Sequence, residues 1–213
     1  MPITLDTSLP ESLYPLAWLI GRWEGSGAIQ LPGQDVSDAR IEQQLECTAA
    51  EDGTLQWRSL VHRVDLPAPL PPTSVFARDE AEDDPAPARQ GSGERTLLHR
   101  EEGRWTVGEL LPGQDLALSE AARPGTPESF LSYRLDAQLT RRGESPEQWA
   151  GEVRGPRVQL ALRGTGDEIT ETRMFGYVRG RLMWLWERRL PRPDGAPGDT
   201  SMTPYLSLEL HRV

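Results

Sequence analysis

Three histidines and one cysteine are the side chains of this sequence best suited to bind a metal or attack a substrate. His62, His99 and His211 lie far apart, so they form a metal site only if three separate strands turn them toward one point. Their spacing does not require this and favours surface or hydrogen-bonded histidines. Cys47 and His62 have the chemistry of a nucleophile and a base, but a lone cysteine is more often a small buried residue.

Arg173 and Tyr177 are a second candidate for chemistry. They are four residues apart in a strand-like stretch, so they lie on the same face of the strand. If that face points inward, the guanidinium and the phenol predict a binding site for a ligand carboxylate. The alternative is an outward face on which Arg173 pairs with a surface acid.

Composition excludes several functional classes. A net charge of -10 argues against a nucleic-acid partner, because phosphate binding needs a basic patch. All 23 basic residues are arginine, so no lysine is available for a Schiff base. The single cysteine excludes an intramolecular disulfide and predicts a cytoplasmic protein. The start of the chain lacks a signal-peptide pattern, and no apolar run is long enough to predict a membrane span.

The hydrophobic pattern predicts an all-β fold: a single antiparallel up-and-down β-barrel of about ten short strands after a short N-terminal helix. Apolar residues at helical spacing place the helix between Pro10 and Ile20. Tight turns without long crossovers favour a barrel over a sandwich. The predicted strands are 22–31, 41–47, 55–61, 95–100, 105–111, a shorter segment near 116–118, 130–139, 148–154, 158–163, 169–178, 182–186 and 205–213.

One segment interrupts this pattern. Residues 67–93 carry six prolines and the acidic run 79–84, which is typical of a segment that cannot form a packed core. We therefore expect one domain over residues 1–213, with a mobile surface insertion at 66–93.

The densest aromatic stretch is 174–186, with a two-residue turn at Arg179-Gly180. Leu182, Trp184 and Trp186 share one face, and Met183 and Leu185 share the other. Apolar residues on both faces have two interpretations. In the first, one face packs in the core and the other forms an outer cluster against the N-terminal helix or a second subunit. In the second, the stretch forms the wall of an apolar pocket. A homodimer is one expectation from this pattern.

A glycine motif opens the first predicted strand, as Gly21-x-Trp23-x-Gly25-x-Gly27. In the architectural interpretation, Trp23 closes one barrel end and Gly25 and Gly27 allow a bend that a β-carbon would prevent. A phosphate loop is excluded, because no strand precedes the motif and no G-K-[ST] follows it.

Residues 16–27, which contain this motif, resemble the opening of nitrobindins and related fatty-acid-binding-protein-like barrels. The resemblance covers most of the chain apart from the proline-rich insertion. It implies an antiparallel barrel that holds ferric heme b through a histidine on the last strand, and an activity on nitric oxide or the isomerisation of peroxynitrite to nitrate.

The last strand departs from that family pattern. Aligning Leu206, Leu210, Arg212 and Val213 with the family ending H-L-x-x-x-L-x-[KR]-V places Tyr205 where the axial histidine is expected. A tyrosine phenolate can bind ferric heme, so Tyr205 is the alternative iron ligand. His211 is a weaker one: an even separation of six residues predicts that it shares the strand face of Tyr205, but it lies about 20 Å further along the strand.

Three functions remain open from the sequence. The first is non-enzymatic binding of a small hydrophobic or amphipathic molecule inside the barrel, with Tyr205, Arg173 and Tyr177 as ligand-binding residues. The second is a ferric heme protein that acts as a peroxynitrite isomerase. The third is a self-associating barrel whose interior is filled by side chains.

Overall fold

A computed structural model describes residues 9–30, 38–67, 91–189 and 202–213. Ten antiparallel strands form one closed barrel, which confirms the predicted fold class. Each strand pairs with the next along the chain, and the first pairs with the last. The strands are β1 Gly21–Ile29, β2 Ala39–Ala49, β3 Leu55–Pro67, β4 Arg95–Leu110, β5 Ser132–Arg141, β6 Glu147–Arg154, β7 Arg157–Arg163, β8 Ile169–Val178, β9 Arg181–Arg188 and β10 Thr203–Arg212.

The helices are short. A 3-10 helix, Glu11–Leu16, precedes β1, and α1, Leu116–Ala121, is followed by a 3-10 turn at Pro127–Ser129. The prediction of a strand near 116–118 is therefore wrong. The Asp115 side chain accepts a hydrogen bond from the Leu118 amide and caps a helix there. Within the described residues, no helix is long and apolar enough to cross a membrane.

Strand β4 corrects a second prediction. The sequence Glu101-Glu102-Gly103 suggests a turn between two strands, but β4 continues through it. Gly103 pairs with Trp57 on β3 and with Leu139 on β5, so it lies within the sheet. The two neighbouring strands satisfy the backbone hydrogen bonds on both sides, and Glu101 points into the barrel, where it is buried.

The glycines of the opening motif lie where β1 approaches β10. A β-carbon added at Gly25 would lie 2.1 Å from the carbonyl oxygen of Glu209. One added at Gly27 would lie 1.8 Å from that of Ser207. Both positions therefore require glycine for the two strands to pair.

The N-terminal segment closes one end of the barrel, which we call the closed end. Leu13, Leu16 and Leu19 are fully buried against it, and the Trp23 indole donates a hydrogen bond to the Leu19 carbonyl at 2.8 Å. The Arg212 guanidinium lies 4.6 Å from the centre of the Trp23 ring. Trp23 thus fixes the 3-10 segment to the first and last strands.

Side chains fill the described interior of the barrel. Trp57 stacks on Trp105 at 5.0 Å, and Phe175 stacks on Trp184 at 5.2 Å. All four side chains are at most 5% exposed. Rings with so little accessible surface leave no space beside them for a ligand, so the predicted interior pocket is not found among these residues.

The ends of the predicted insertion are joined at its base. The Asp65 carboxylate accepts hydrogen bonds from the Ser92 amide and hydroxyl, both at 2.8 Å. Residues 68–90 lie outside the described residues, so the mobile excursion there stays a prediction.

Candidate functional site

The barrel end opposite the 3-10 helix carries a group of polar and charged side chains, and we call it the mouth. Its residues are His99, Arg141, Glu171, Arg188 and Tyr205. Strand β10 connects the two ends: Tyr205 lies near its start, and Arg212 at its end donates a hydrogen bond to the Trp18 carbonyl at the closed end.

A tyrosine and a histidine are in direct contact at the mouth. The Tyr205 hydroxyl lies 3.0 Å from His99 Nε2, and the Tyr205 side chain is 8% exposed. A bulge in β10 points Tyr205 inward, because the register with β9 shifts between Pro204 and Leu206. Tyr205 and Leu206 are consequently both buried.

Burial and neighbouring cations control the charge of His99. Burial lowers the pKa of His99, and the charges of Arg188 and Arg141 lower it further, to about 4. The imidazole is therefore uncharged near neutral pH. A neutral imidazole carries one ring proton, so Nε2 accepts the hydrogen bond of the phenol in the tautomer that has its proton on Nδ1.

Arg188 covers the aromatic rings of the mouth. Its guanidinium lies 3.8 Å from the centre of the Tyr205 ring and 4.2 Å from that of Trp186. Its Nε lies 3.4 Å from Oε1 of Glu171. The other carboxylate oxygen of Glu171, Oε2, accepts a hydrogen bond from the Trp186 indole at 2.7 Å. These contacts hold a cation against the phenol ring.

A buried ion pair forms the floor beneath the mouth. Arg173 donates two hydrogen bonds to Glu101, both at 2.7 Å, and Trp57 donates a third at 3.0 Å. The guanidinium lies 4.4 Å from the Trp149 ring and 4.0 Å from the Trp186 ring. The pair is thus bidentate and enclosed by indoles.

The Glu101 carboxylate is stabilised in its charged form. Burial alone would raise its pKa, but the Arg173 charge and the hydrogen bonds from Arg173 and Trp57 hold the pKa below the usual range. Glu101 therefore remains an anion that neutralises Arg173, and the floor carries no net charge.

A family comparison places this architecture among known proteins. The sequence model of the family described as the THAP4-like, heme-binding beta-barrel domain matches residues 12–212. The chain belongs to this family. The match runs from the closed end through the last strand, so it includes both ends of the barrel.

Two similar proteins cover the whole of this chain. It is 27% identical to a protein of Paenarthrobacter aurescens named peroxynitrite isomerase, with all of both chains covered. It is 29% identical to a protein of Kineococcus radiotolerans named ferric nitrobindin-like protein, covering 100% of this chain and 99% of the relative. A crystal structure, that of Rv2717c from M. tuberculosis, shares the fold: the TM-score is 0.55 at 17% identity, over 96% of this chain and 99% of the other.

In this family member, Arg173 and Tyr177 do not form a common site. Both terminal nitrogens of Arg173 bind Glu101, so neither is left for a ligand carboxylate. The Tyr177 ring lies at the closed end, 6.3 Å from Trp18 and 6.0 Å from Trp23. The two residues share a strand, but one belongs to the floor and the other to the closed end.

The other candidate residues lie away from the mouth. His211 is exposed and pairs with Glu24 across β1, on the outer surface. The bulge at Tyr205 reverses the inward and outward alternation, so the expectation that His211 shares the face of Tyr205 is wrong. Cys47 points inward, where burial raises the pKa of its thiol, and His62 lies on the outer face. The described residues contain no cluster of three potential metal ligands.

The sequence identifies Tyr205 as a site residue, but it does not identify Arg141, Glu171 and Arg188 of the mouth or Glu101 of the floor. Glu101 has the local sequence of a turn, and the spacing of the three histidines does not single out His99. A sequence signal exists, because the charged residues Arg100, Glu102 and Arg104 recur at every second position, which is typical of the exposed face of one continuous strand. The turn-like acidic pair and glycine obscured that alternation.

Proposed function

We propose that this chain binds ferric heme b at the mouth, with Tyr205 as the iron ligand, and that the loaded protein isomerises peroxynitrite to nitrate. The contact between the Tyr205 hydroxyl and His99 Nε2 at 3.0 Å carries the proposal. Membership of a heme-binding family and the names of full-length relatives support the cofactor and the reaction.

The mouth fits an iron ligand of the phenolate type. Ferric heme accepts a tyrosine oxygen as an axial ligand, but the phenol must first give up its proton. His99 Nε2 is placed to accept the hydrogen bond of that proton. Tyr205 therefore has a partner that favours ligation, at the position where the family ending has its histidine.

The charged residues of the mouth fit the rest of the heme. Heme b carries two carboxylates, and guanidinium groups bind carboxylates in a bidentate manner. The guanidinium of Arg188 lies 3.8 Å from the centre of the Tyr205 ring, and that of Arg141 lies 5.4 Å from the centre of the neighbouring Trp186 ring. Each pairs with an acid of the barrel, Glu171 and Glu147 respectively, and can exchange that acid for a heme carboxylate.

The bound heme would supply a Lewis-acidic iron for a rearrangement that needs no reductant. The protein side chains would orient it and limit access of water. Trp186 and the Arg173–Glu101 floor close the barrel behind the iron ligand, so an anionic substrate would approach only from the mouth. Arg188 would offer that substrate a cation.

The other interpretation, binding of a small apolar molecule inside the barrel, has less support. The aromatic side chains and the ion pair occupy the described interior, with exposures of at most 5%. A ligand that entered there would have to displace packed indoles.

A hemin titration followed by visible absorption tests the cofactor. We expect a Soret band and saturable binding in the wild type, and loss or strong weakening of both in Tyr205→Phe. Tyr14→Phe is the matched control, because Tyr14 is 48% exposed on the 3-10 helix and should bind hemin as the wild type does. The absence of a Soret band in the wild type would refute heme binding, and identical spectra in Tyr205→Phe would refute the ligand assignment.

Stopped-flow absorption of peroxynitrite tests the reaction. The hemin-loaded wild type should accelerate peroxynitrite decay and raise the ratio of nitrate to nitrite. With Tyr205→Phe, peroxynitrite should decay at the rate observed with free hemin. A heme-loaded wild type that leaves the decay rate unchanged would contradict the isomerase activity but leave heme binding intact.

A further inference from the structure

The contact between the Tyr205 hydroxyl and His99 Nε2, 3.0 Å long, can form a hydrogen bond in either direction. With the ring proton on Nδ1, His99 accepts the hydrogen bond of a phenol. With the ring proton on Nε2, the same imidazole donates a hydrogen bond to a phenolate oxygen. The exchange of tautomers adds no charge to the mouth, so His99 can stabilise Tyr205 both as a free phenol and as an anionic ligand.

The other histidines and the cysteine lie away from Tyr205. His62 and His211 line a groove on the outer face of the barrel. Cys47 pairs with Gly21 at the start of β1, which is the closed end. Among the histidines and the cysteine, all of which the structure describes, only His99 reaches the mouth. The axial bond of a heme held there therefore depends on one phenolate oxygen and its hydrogen-bond partner.

A phenolate oxygen distinguishes the two oxidation states of heme iron. As a hard anion, it binds the more highly charged ferric ion more strongly than the ferrous ion. Ferrous iron is better matched by neutral nitrogen and sulfur ligands. Reduction of the iron therefore weakens the bond to Tyr205, and His99 can return to the tautomer that accepts the hydrogen bond of the phenol.

The remaining charged groups of the mouth favour release once that bond is lost. Arg188 has Glu171 as a partner, and Arg141 has Glu147. Each acid competes with a heme carboxylate for its arginine. The two arginine side chains are 21% and 13% exposed, so this exchange takes place at the edge of the solvent, where an acceptor can reach the heme.

We propose that the oxidation state of the iron controls heme occupancy of the mouth, so that the protein retains ferric heme and passes ferrous heme to an acceptor protein. This inference rests on the proposed function, because it requires Tyr205 as the ligand. A one-electron donor reduces the ferric iron. The iron–oxygen bond then breaks with its electron pair on the Tyr205 oxygen, which takes up one proton from water. His99 is a positioning residue, and the acceptor is a heme protein that offers a neutral imidazole or thioether.

Heme transfer to apomyoglobin under argon, followed by stopped-flow absorption, tests this proposal. Transfer from the hemin-loaded wild type should be at least about 10-fold faster after reduction with dithionite, the least expected from the loss of one contact to a charged group. Gallium(III) protoporphyrin is the matched control, because dithionite does not reduce gallium and should leave its transfer rate unchanged.

The outcomes separate this inference from the proposed function. A wild type without a Soret band would refute heme binding itself. A wild type that binds hemin through Tyr205 but transfers it equally fast in both oxidation states would overturn the inference alone. Retention of ferrous heme with the absorption spectrum of an imidazole ligand would also overturn it, because His99 would then have replaced Tyr205 on the iron.

Variants of His99 test its positioning role. His99→Phe removes the hydrogen bond to the phenolate and should weaken binding of ferric hemin about 10- to 100-fold, so reduction should accelerate transfer less than in the wild type. His99→Gln keeps a donor and an acceptor and should retain the wild-type acceleration. His62→Phe makes the same change on the outer face and is the matched control. Equal acceleration in His99→Phe and the wild type would overturn the role of His99.

Discussion

The closed end and the mouth of this barrel are built from different chemistry. At the closed end, Leu13, Leu16 and Trp23 are fully buried, and the Trp23 N–H reaches a backbone carbonyl. At the mouth, Tyr205 and His99 contact each other beneath the Arg188 guanidinium. One end has its polar atoms satisfied by the backbone, whereas the other holds side chains that titrate, ligate or carry charge.

Because of this difference, the residues that identify the family and the residues suited to chemistry lie in different parts of the barrel. The glycine and tryptophan motif builds the closed end and the pairing of β1 with β10, so it identifies the barrel. The residues suited to chemistry come from β4, β9 and β10 at the other end. The motif can therefore identify the barrel without fixing which side chains lie at its mouth.

The floor between the two ends should give the largest effect on stability. Arg173→Met leaves Glu101 buried without its cation and should lower the free energy of unfolding by about 3–5 kcal/mol. Arg134→Met removes an exposed pair and should cost less than about 1 kcal/mol. Urea unfolding measures both. Equal losses in the two variants would show that the floor does not hold the barrel together.

The pairing of β1 with β10 should give the next effect. Gly27→Ala places a β-carbon against the Ser207 carbonyl and should cost about 1–3 kcal/mol as β1 and β10 move apart. Gly176→Ala is the control, because a β-carbon there meets no atom within 4 Å. If thermal and urea unfolding do not distinguish the two variants, the close approach of these strands is not a constraint.

The mouth should give the smallest effect on stability but a clear effect on binding. Arg188→Gln removes one of the two cations proposed to bind the heme carboxylates and should lower hemin affinity about 10-fold or more, the loss expected for one hydrogen bond to a charged group. Its unfolding free energy should fall by less than that of Arg173→Met, because the Arg188–Glu171 contact is longer, at 3.4 Å, and less buried than the floor pair. Hemin titration and urea unfolding on the same sample separate these effects. A large loss of stability with unchanged affinity would reverse the roles of the two ends.

The fold was predictable from sequence because its signals are local. The alternation of apolar residues predicted the barrel, and Arg179-Gly180 forms the expected turn, with φ of 51° and 86°. The errors occurred where tertiary contacts override local preference. Glu101 follows the local signature of a turn, but Arg173, 72 residues away in the chain, holds its carboxylate inside the barrel.

The site was less predictable because it depends on strand register. Tyr205 was identified from the family ending, but its partner His99 is 106 residues away. No spacing rule connects the two until the strands are paired. The bulge at Tyr205 also reversed the predicted face of His211, since one extra residue changes which side chains point inward.

A resonance Raman spectrum of the hemin-loaded protein tests the central claim most directly, because it detects the bond between iron and its protein ligand. The wild type should show iron–phenolate and phenolate ring vibrations, and both should disappear in Tyr205→Phe while Tyr14→Phe retains them. A wild-type spectrum without phenolate vibrations, or one that survives in Tyr205→Phe, would contradict the assignment of Tyr205 at the mouth as the heme ligand.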